Sequence, residues 1–555
     1  MLYNRLGEPR STMAEPEQNL RRTTKSAGHW SWSGRWRWLS AIALLFAVAL
    51  IVVAIVVHRA EPTLRSAVIE TLSTRFKSRV ELDAFHVSLV KGLQVSGSGL
   101  RIFGETDPNN FEPGFQPIIS VGEFRFRMGI RGLFRSPLHV NTVFVKGLQL
   151  NLPPKEHRSE INKMGPGKGK IKIVVDRFLC VQAQLIVNTL RPGKLPLEFD
   201  IESLKMTRIG PDSPLHFDAT LTNPKPVGLV VSSGSFGPWQ PDSPRDTAVS
   251  GTYSFDQADL STIKGIGGTL SSTGHYAGTL DKITVDGATD TPDFRISISG
   301  RAVPLHTDFH AIVDGTTGDT YLRPVKAKIL NSSLVANGSV VRTKNPNGHH
   351  VELDVSIEKG RIEDLLKTAI RTDPPVMTGF VHLLTKFDLA PGGDDIVNRL
   401  RLKGNFQVSG AHFSSEKIQG KIDAFSMRSQ GKASEAEDNK AEIVDSDIQG
   451  TLSLSNGLIS FSQLQFKAPG VQVDLTGNYS LDGNQFDYHG KARMDAKLSH
   501  MVTGWKSILL KPVDPFFSKN GAGTEVPIEI HGTKSDPHFG LDFGHKAGNK
   551  GPIAK

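Results

Sequence analysis

The chain has 555 residues, too many for one compact core, and only 38% of them are hydrophobic, while Gly numbers 54 and Pro 32, a balance that favours many short strands joined by turns. Its single cysteine, Cys180, excludes an internal disulfide and a thiolate zinc cage, and within IKIVVDRFLCVQAQLIV it reads as a buried small hydrophobe. The net charge of +9 comes largely from the ends: residues 1–37 hold seven Lys or Arg against three Glu, and the tail HKAGNKGPIAK is basic and Gly-rich, which fits solvated segments near anionic lipid and not a nucleic-acid surface.

Residues 1–37 are therefore expected to be a disordered basic tail. They are followed by WLSAIALLFAVALIVVAIVV (38–57), which as a helix is roughly 30 Å long and matches the hydrocarbon core of a bilayer. Arg35 and Arg37 before it, with Trp36 and Trp38 at headgroup level, place the N-terminus on the cytoplasmic side. The exit through Val57, His58, Arg59 and Ala60 lacks small residues at alternate positions, so the segment reads as an uncleaved anchor. A membrane-proximal amphipathic helix is predicted over 60–79, with Pro62 in its first turn and Leu64, Val68, Leu72 and Phe76 four apart on one face.

From Val80 the apolar period changes to two, as in Val143 and Val145, Val351, Leu353, Val355 and Ile357, or Val471, Val473 and Leu475. Such strands have one apolar and one solvated face, which points to antiparallel pairing. Hairpin turns are predicted at Lys91-Gly92, Lys146-Gly147, Asn345–Gly348, Ser455–Gly457 and Leu481–Asn484, and longer polar loops at 104–117, 153–170 and 428–442. Helical periodicity returns at 361–370 and over 497–510, where Leu498, Met501, Val502, Trp505, Ile508 and Leu509 form one stripe. With Phe516 and Phe517 downstream, that stripe is a candidate contact for a membrane or a groove mouth; the alternative is a helix packed on a sheet end. The expected fold is mainly β: one transmembrane helix, then an elongated antiparallel sheet structure with few short helices, either a half-pipe or stacked sandwiches, since both give period-two strands. Its β-rich regions span 80–370 and 376–543, before a basic tail at 544–555.

The chain carries no GxSxG, HExxH, CxxC or P-loop motif, His349-His350 has no ligand partner at metal spacing, and Asp394-Asp395 reads as a solvated turn. A non-enzymatic protein is expected, without catalytic residues, cofactor or metal.

Three stretches, MTGFVHLLTKFDLAPGGDDIVNRLRLKGNFQVSGAHFSSEKIQGKIDAFSMRSQG (377–431), NGLISFSQLQFKAPGVQVDLTGNYSL (456–481) and VDPFFSKNGAGTEVPIEIHGTKSDPHFGLDF (513–543), resemble the C-terminal region of AsmA-family envelope proteins. GTLSSTGHYAGTL (268–280) is similar to the repeat-like strands of that family, and an anchor, a short helix and RVELDAFHVSLVKGLQVSGSGLRI (79–102) resemble its usual opening. The resemblance implies a distant relationship to bridge-like lipid transfer proteins with chorein-type grooves. It implies an inner-membrane anchor, a periplasmic body, membrane phospholipid as ligand, and a part in outer-membrane assembly. No catalytic residue carries over. The alternative is a structural scaffold for outer-membrane or periplasmic assembly proteins.

Overall fold

The computed structural model describes residues 61–541 apart from short stretches, chiefly 104–116, 130–136, 153–172, 189–194, 438–442, 504–510 and 512–522; residues 1–60 and 542–555 also lie outside the description. The anchor at 38–57, Arg35, Trp36, Arg37, Trp38, both basic tails and the loops at 104–117 and 153–170 fall wholly or almost wholly there. Among the described residues no helix is long and apolar enough to cross a membrane.

Residues 61–74 form helix α1. The strands then follow as β1 (Val80–Glu81), β2 (Ala84–Ser88), β3 (Leu93–Ile102), β4 (Ile119–Met128), β5 (Leu138–Leu152), β6 (Ile173–Val187), β7 (Leu197–Ile209), β8 (Leu215–Pro224), β9 (Val227–Phe236), β10 (Ala248–Asp259), β11 (Ile266–Gly267) and β12 (Thr269–Thr279). After them come β13 (Lys282–Ile296), β14 (Val303–Val313), β15 (Thr320–Ile329), β16 (Ser332–Thr343), β17 (Gly348–Arg361), helix α2 (Ile362–Ala369), β18 (Met377–Leu389), helix α3 (Ile396–Arg399) and β19 (Leu400–Phe413). The C-terminal part holds α4 (Glu416–Ser429), α5 (Ala433–Glu437), β20 (Ser446–Ser455), β21 (Leu458–Ala468), β22 (Val471–Ser480), β23 (Phe486–Met494), β24 (Thr524–Gly532) and β25 (Pro537–Leu541).

Each long strand pairs with the next in sequence, so one open sheet runs from β2 to β25 as a meander, with the two-residue β11 attached only to β13. A single sheet replaces the stacked-sandwich alternative. The sheet is mixed and not purely antiparallel as expected, because β5 and β6 run parallel, Val145 opposite Cys180. The 20 residues of 153–172 between them are long enough to bring the chain back to the same end of the sheet, which a parallel pair requires.

Register carries the period-two pattern across the sheet. Leu353 of β17 lies between Gly338 of β16 and Phe387 of β18, and Phe406 of β19 between Leu383 and Gly450. The other face carries Glu352 opposite Asp388, Asp286 opposite His310 and Asp290 opposite His306. Interruptions of register at Phe255/Ala258, Thr291/Phe294, Ile357/Gly360 and Val408/Ala411 recur near one end of the strands. Such bulges bend strands. The bend is towards the apolar face, because Ile296 and Ile298 from one strand end share a cluster with Leu400, Leu454 and Ile459 from the other.

Helix α2 lies across that curl. Its Ile362 and Leu365 pack with Ile357, Val381 and Val408, while Leu366 and Ala369 pack with Val397 and Leu454. It is held by Asp364, 1% exposed, which accepts from the Asn331 amide at 3.0 Å and the Ser332 hydroxyl at 2.9 Å. The opposed strand ends meet directly beside it: Ile396 N–H donates to the Lys264 carbonyl (3.3 Å), Ser297 Oγ to Asp395 (3.2 Å) and Arg371 Nε to the Ile298 carbonyl (2.6 Å). At the N-terminal end, α1 sets Val68 and Ile69 against the cluster of Leu82, Phe85, Val121, Val145 and Cys180.

Two local expectations need correction. Lys146-Gly147 is no hairpin turn but lies inside β5, where Gly147 takes a φ of 66° while the register with both neighbouring strands stays unbroken. The predicted loop at 428–442 overlaps the end of α4 and contains α5. Ser455–Gly457, by contrast, is a tight turn with Asn456 and Gly457 both at positive φ, the demand of a two-residue hairpin.

Candidate functional site: an apolar trough on one face of the sheet

The curled face of the sheet is lined by uncharged side chains along its mid-strand rows, such as Gly287–Phe309–Val325, Ala336–Val355–Thr385 and Leu464–Leu475–Gly490. Phe309, Leu353 and Phe406 are half-buried, whereas Ile357, Val381 and Val408 under α2 are 2%, 2% and 1% exposed. Among the described residues no second sheet lies over these rows, so the half-buried side chains are shielded chiefly by one another and by the curl.

The floor is built from a repeated unit, an aromatic ring opposite a glycine on the neighbouring strand. Register pairs Gly97 with Phe124, Gly251 with Tyr276, Tyr253 with Gly274, Gly287 with Phe309, Phe406 with Gly450 and Gly477 with Tyr488. Each ring covers backbone that a glycine leaves bare, which keeps the floor smooth and holds the register. The approach is close: a Cβ on Gly251 would stand 2.6 Å from Tyr276 Oη and 2.4 Å from the Ser233 carbonyl, and one on Gly274 would stand 2.8 Å from Tyr253 Cε1. Gly251→Ala is accordingly expected to destabilise by about 2 kcal/mol and to displace the Tyr276 ring, read as a shift in its NMR ring resonances with a lower melting temperature. Further along, Phe406, Phe461, Tyr488 and Phe486 form a chain of rings with centroids 5.9, 6.1 and 6.1 Å apart. Burial there pushes the Tyr488 phenol well above its ordinary range, with Tyr479 adding to the effect, so it stays protonated.

The opposite face is polar and ion-paired. His306 Nδ1 lies 2.6 Å from Asp290, His310 Nδ1 2.7 Å from Asp286, and His350 Nε2 3.2 Å from Asp388. The hydrogen bond to Asp290 raises the His306 imidazole above its ordinary value, and Asp308 at 3.6 Å adds to it. The stabilisation is fully present below the ordinary imidazole pKa and disappears as the pH rises through the raised one. Asp290→Asn is expected to lower the His306 titration towards the ordinary range, followed by the pH dependence of its ring NMR signals. Solvent exposure keeps the effect on stability small.

Of the predicted mouth residues, only Leu498, Met501 and Val502 fall among the described residues. Met501 sits in the core cluster with Val473, Met494 and Val526, against Phe425 of α4, and Leu498–Met501 is a single 3-10 turn. Val502 then takes an extended conformation, which interrupts the helix expected over 497–510, whose residues 504–510 lie outside the description. Trp505, Ile508, Leu509, Phe516 and Phe517 lie outside the described residues. Asp395 caps α3 by accepting from the Val397 amide at 2.9 Å, a structural task, and among the described residues no group of three His, Cys, Asp or Glu is placed to hold a metal. Alternation alone marked the apolar positions of the strands. Their glycine partners were missed, although the recurrence of GTYSF, GHYAG and GNYSLDG in the sequence carries the signal. No protein-family model matches the chain, and no curated protein matches it.

Proposed function

We propose that this chain is a membrane-anchored, non-catalytic carrier of AsmA type, whose apolar trough shields the alkyl chains of phospholipid from water during envelope and outer-membrane biogenesis. The observation that carries the reading is the succession of uncharged, buried or half-buried positions along one face of a single sheet, with no second sheet over it among the described residues. The apolar stretch at 38–57 and the resemblance in three ordered C-terminal segments also support it. Each methylene moved from water into such a trough gains about 0.8 kcal/mol, while the headgroup keeps its solvation at the open side. Two dozen strands at about 4.8 Å each give a contour on the order of 110 Å, several times the length of one acyl chain. Lipid would then slide along a graded surface and not dwell in one pocket.

The full-length chain, extracted from membranes in mild detergent, is expected to retain phospholipid detectable by mass spectrometry. Leu353→Arg with Phe406→Arg, two charges on the trough floor, is expected to lower the retained lipid at least about fivefold. A wild-type protein that is reproducibly lipid-free would refute the carrier and leave the scaffold reading. A periplasm-only reporter fused after residue 555 is expected to be active; activity confined to the cytoplasm would overturn the topology.

A further inference from the structure

Hydroxyl groups are distributed unevenly along the apolar face. Mid-strand inward positions from β9 to β14 include Ser232, Tyr253, Ser272, Tyr276, Thr289 and Thr307. Between Leu402 and Val408, by contrast, the register of β19 with β20 pairs only Leu, Gly, Phe, Val and Ile on that face. The hydroxyl-bearing section also holds Gly234, Gly251, Gly274 and Gly287, so its floor is low as well as polar.

Donor directions determine what this section offers a ligand. Ser232 Oγ donates to the Thr252 carbonyl at 2.9 Å, so in its 2.9 Å contact with Tyr276 it accepts and the phenol donates. In the same way Ser272 Oγ donates to the Ala288 carbonyl at 3.0 Å and accepts from the Tyr253 phenol at 3.2 Å. Both phenol protons are used within the protein, which leaves the oxygen lone pairs of two half-buried tyrosines for a ligand. Thr289 and Thr307 lie 2.6 Å apart, so one donates to the other and one hydroxyl proton of the pair remains. Next along the inward side of β13, Thr291 is 1% exposed, and its Oγ1 has no hydrogen-bond partner.

Acceptors and a donor side by side, without charge, match a hydroxyl group, which both donates and accepts. A carboxylate or phosphate offers acceptors only and would face the tyrosine lone pairs; an ammonium would find no counter-charge. We infer that the β9–β14 section of the trough binds an alkyl amphiphile carrying a hydroxyl group on its chain. The mid-strand location puts the contact on the floor, where the chain lies, and not at the rim. This inference rests on the carrier reading above and adds the ligand feature that one section selects.

The test uses the full-length protein in detergent, stripped of lipid, with 12-hydroxyoctadecanoate and octadecanoate each displacing a fluorescent fatty acid. The hydroxylated acid is expected to bind about tenfold more tightly. Tyr253→Phe with Tyr276→Phe, which keeps both rings over their glycines, is expected to bring the ratio of the two affinities close to one. Should that pair fail to fold, Thr289→Val with Thr307→Val makes the same test of the donor side. Octadecanoate binding without preference in the wild type, or a preference that survives both variants, overturns the inference and leaves the carrier reading standing. Failure of both acids to bind a protein that retains phospholipid on extraction overturns the inference alone, whereas absence of retained phospholipid removes the carrier reading with it.

Discussion

Ile357→Ala is expected to weaken the local stability of β16–β18 by about 3 kcal/mol, whereas Leu353→Ala, four residues earlier on the same face of the same strand, costs about 1 kcal/mol. The contrast follows from what lies above each side chain. Ile357 is 2% exposed, packed with Val381, Val408, Ile362 and Leu365 beneath α2, so truncation opens a cavity that the helix cannot collapse into. Leu353 is half-buried on the trough floor between Gly338 and Phe387, and its removal mostly forfeits partial burial. A closed sandwich would make the two costs similar. Because a long meander opens locally, the measurement is hydrogen exchange of the β16–β18 amides and not a global melt. Equal protection losses for both variants would mean that the floor is covered.

Asp364→Ala is expected to cost about 3 kcal/mol at α2. The buried carboxylate accepts from the Asn331 amide and the Ser332 hydroxyl, and Ser332 Oγ in turn accepts from the Arg361 amide at 2.8 Å. Removing the carboxylate takes the acceptor from the Asn331 amide and leaves the buried Ser332 hydroxyl only the longer contact to the Arg361 carbonyl at 3.4 Å, at the point where α2 meets the β15–β16 turn. Asp364→Asn keeps one acceptor and is expected to lose about half as much. Amide exchange along 362–369 reads the loosening directly, and fast exchange confined to the alanine variant is the expected order. If α2 stays as protected in both variants, its apolar contacts alone hold it across the trough.

Alternation made the β class and the apolar side of each strand legible, because period two survives in Val351, Leu353, Val355 and Ile357 whatever the neighbours do. The mixed pairing was not legible: nothing in β5 or β6 distinguishes a parallel from an antiparallel neighbour, and the deciding element is the long connection between them. Helix α4 was hidden for a chemical reason. Its buried side includes Gln419, Asp423, Ser426 and Ser429, held by polar contacts such as Gln419 Nε2 to Asp423 (2.8 Å) and the Val444 amide to Asp423 (3.0 Å), so no apolar stripe marks it. The stripe over 497–510 had the reverse problem. Met501 packs into the core, but the backbone is extended at Val502, and helical spacing in the sequence did not guarantee a continuous helix. The apolar face of each strand was thus readable, while the trough, its aromatic–glycine floor and the α2 crossing depend on pairing between strands.

The central claim, that lipid chains lie on the inward face, is tested most directly by a photo-crosslinking amino acid placed in living cells at Leu353 or at its neighbour Glu352. The two positions share a strand and point to opposite faces of the sheet. Crosslinked phospholipid at 353, with none above background at 352, is the expected result; equal labelling at both positions, or none at 353, would contradict it.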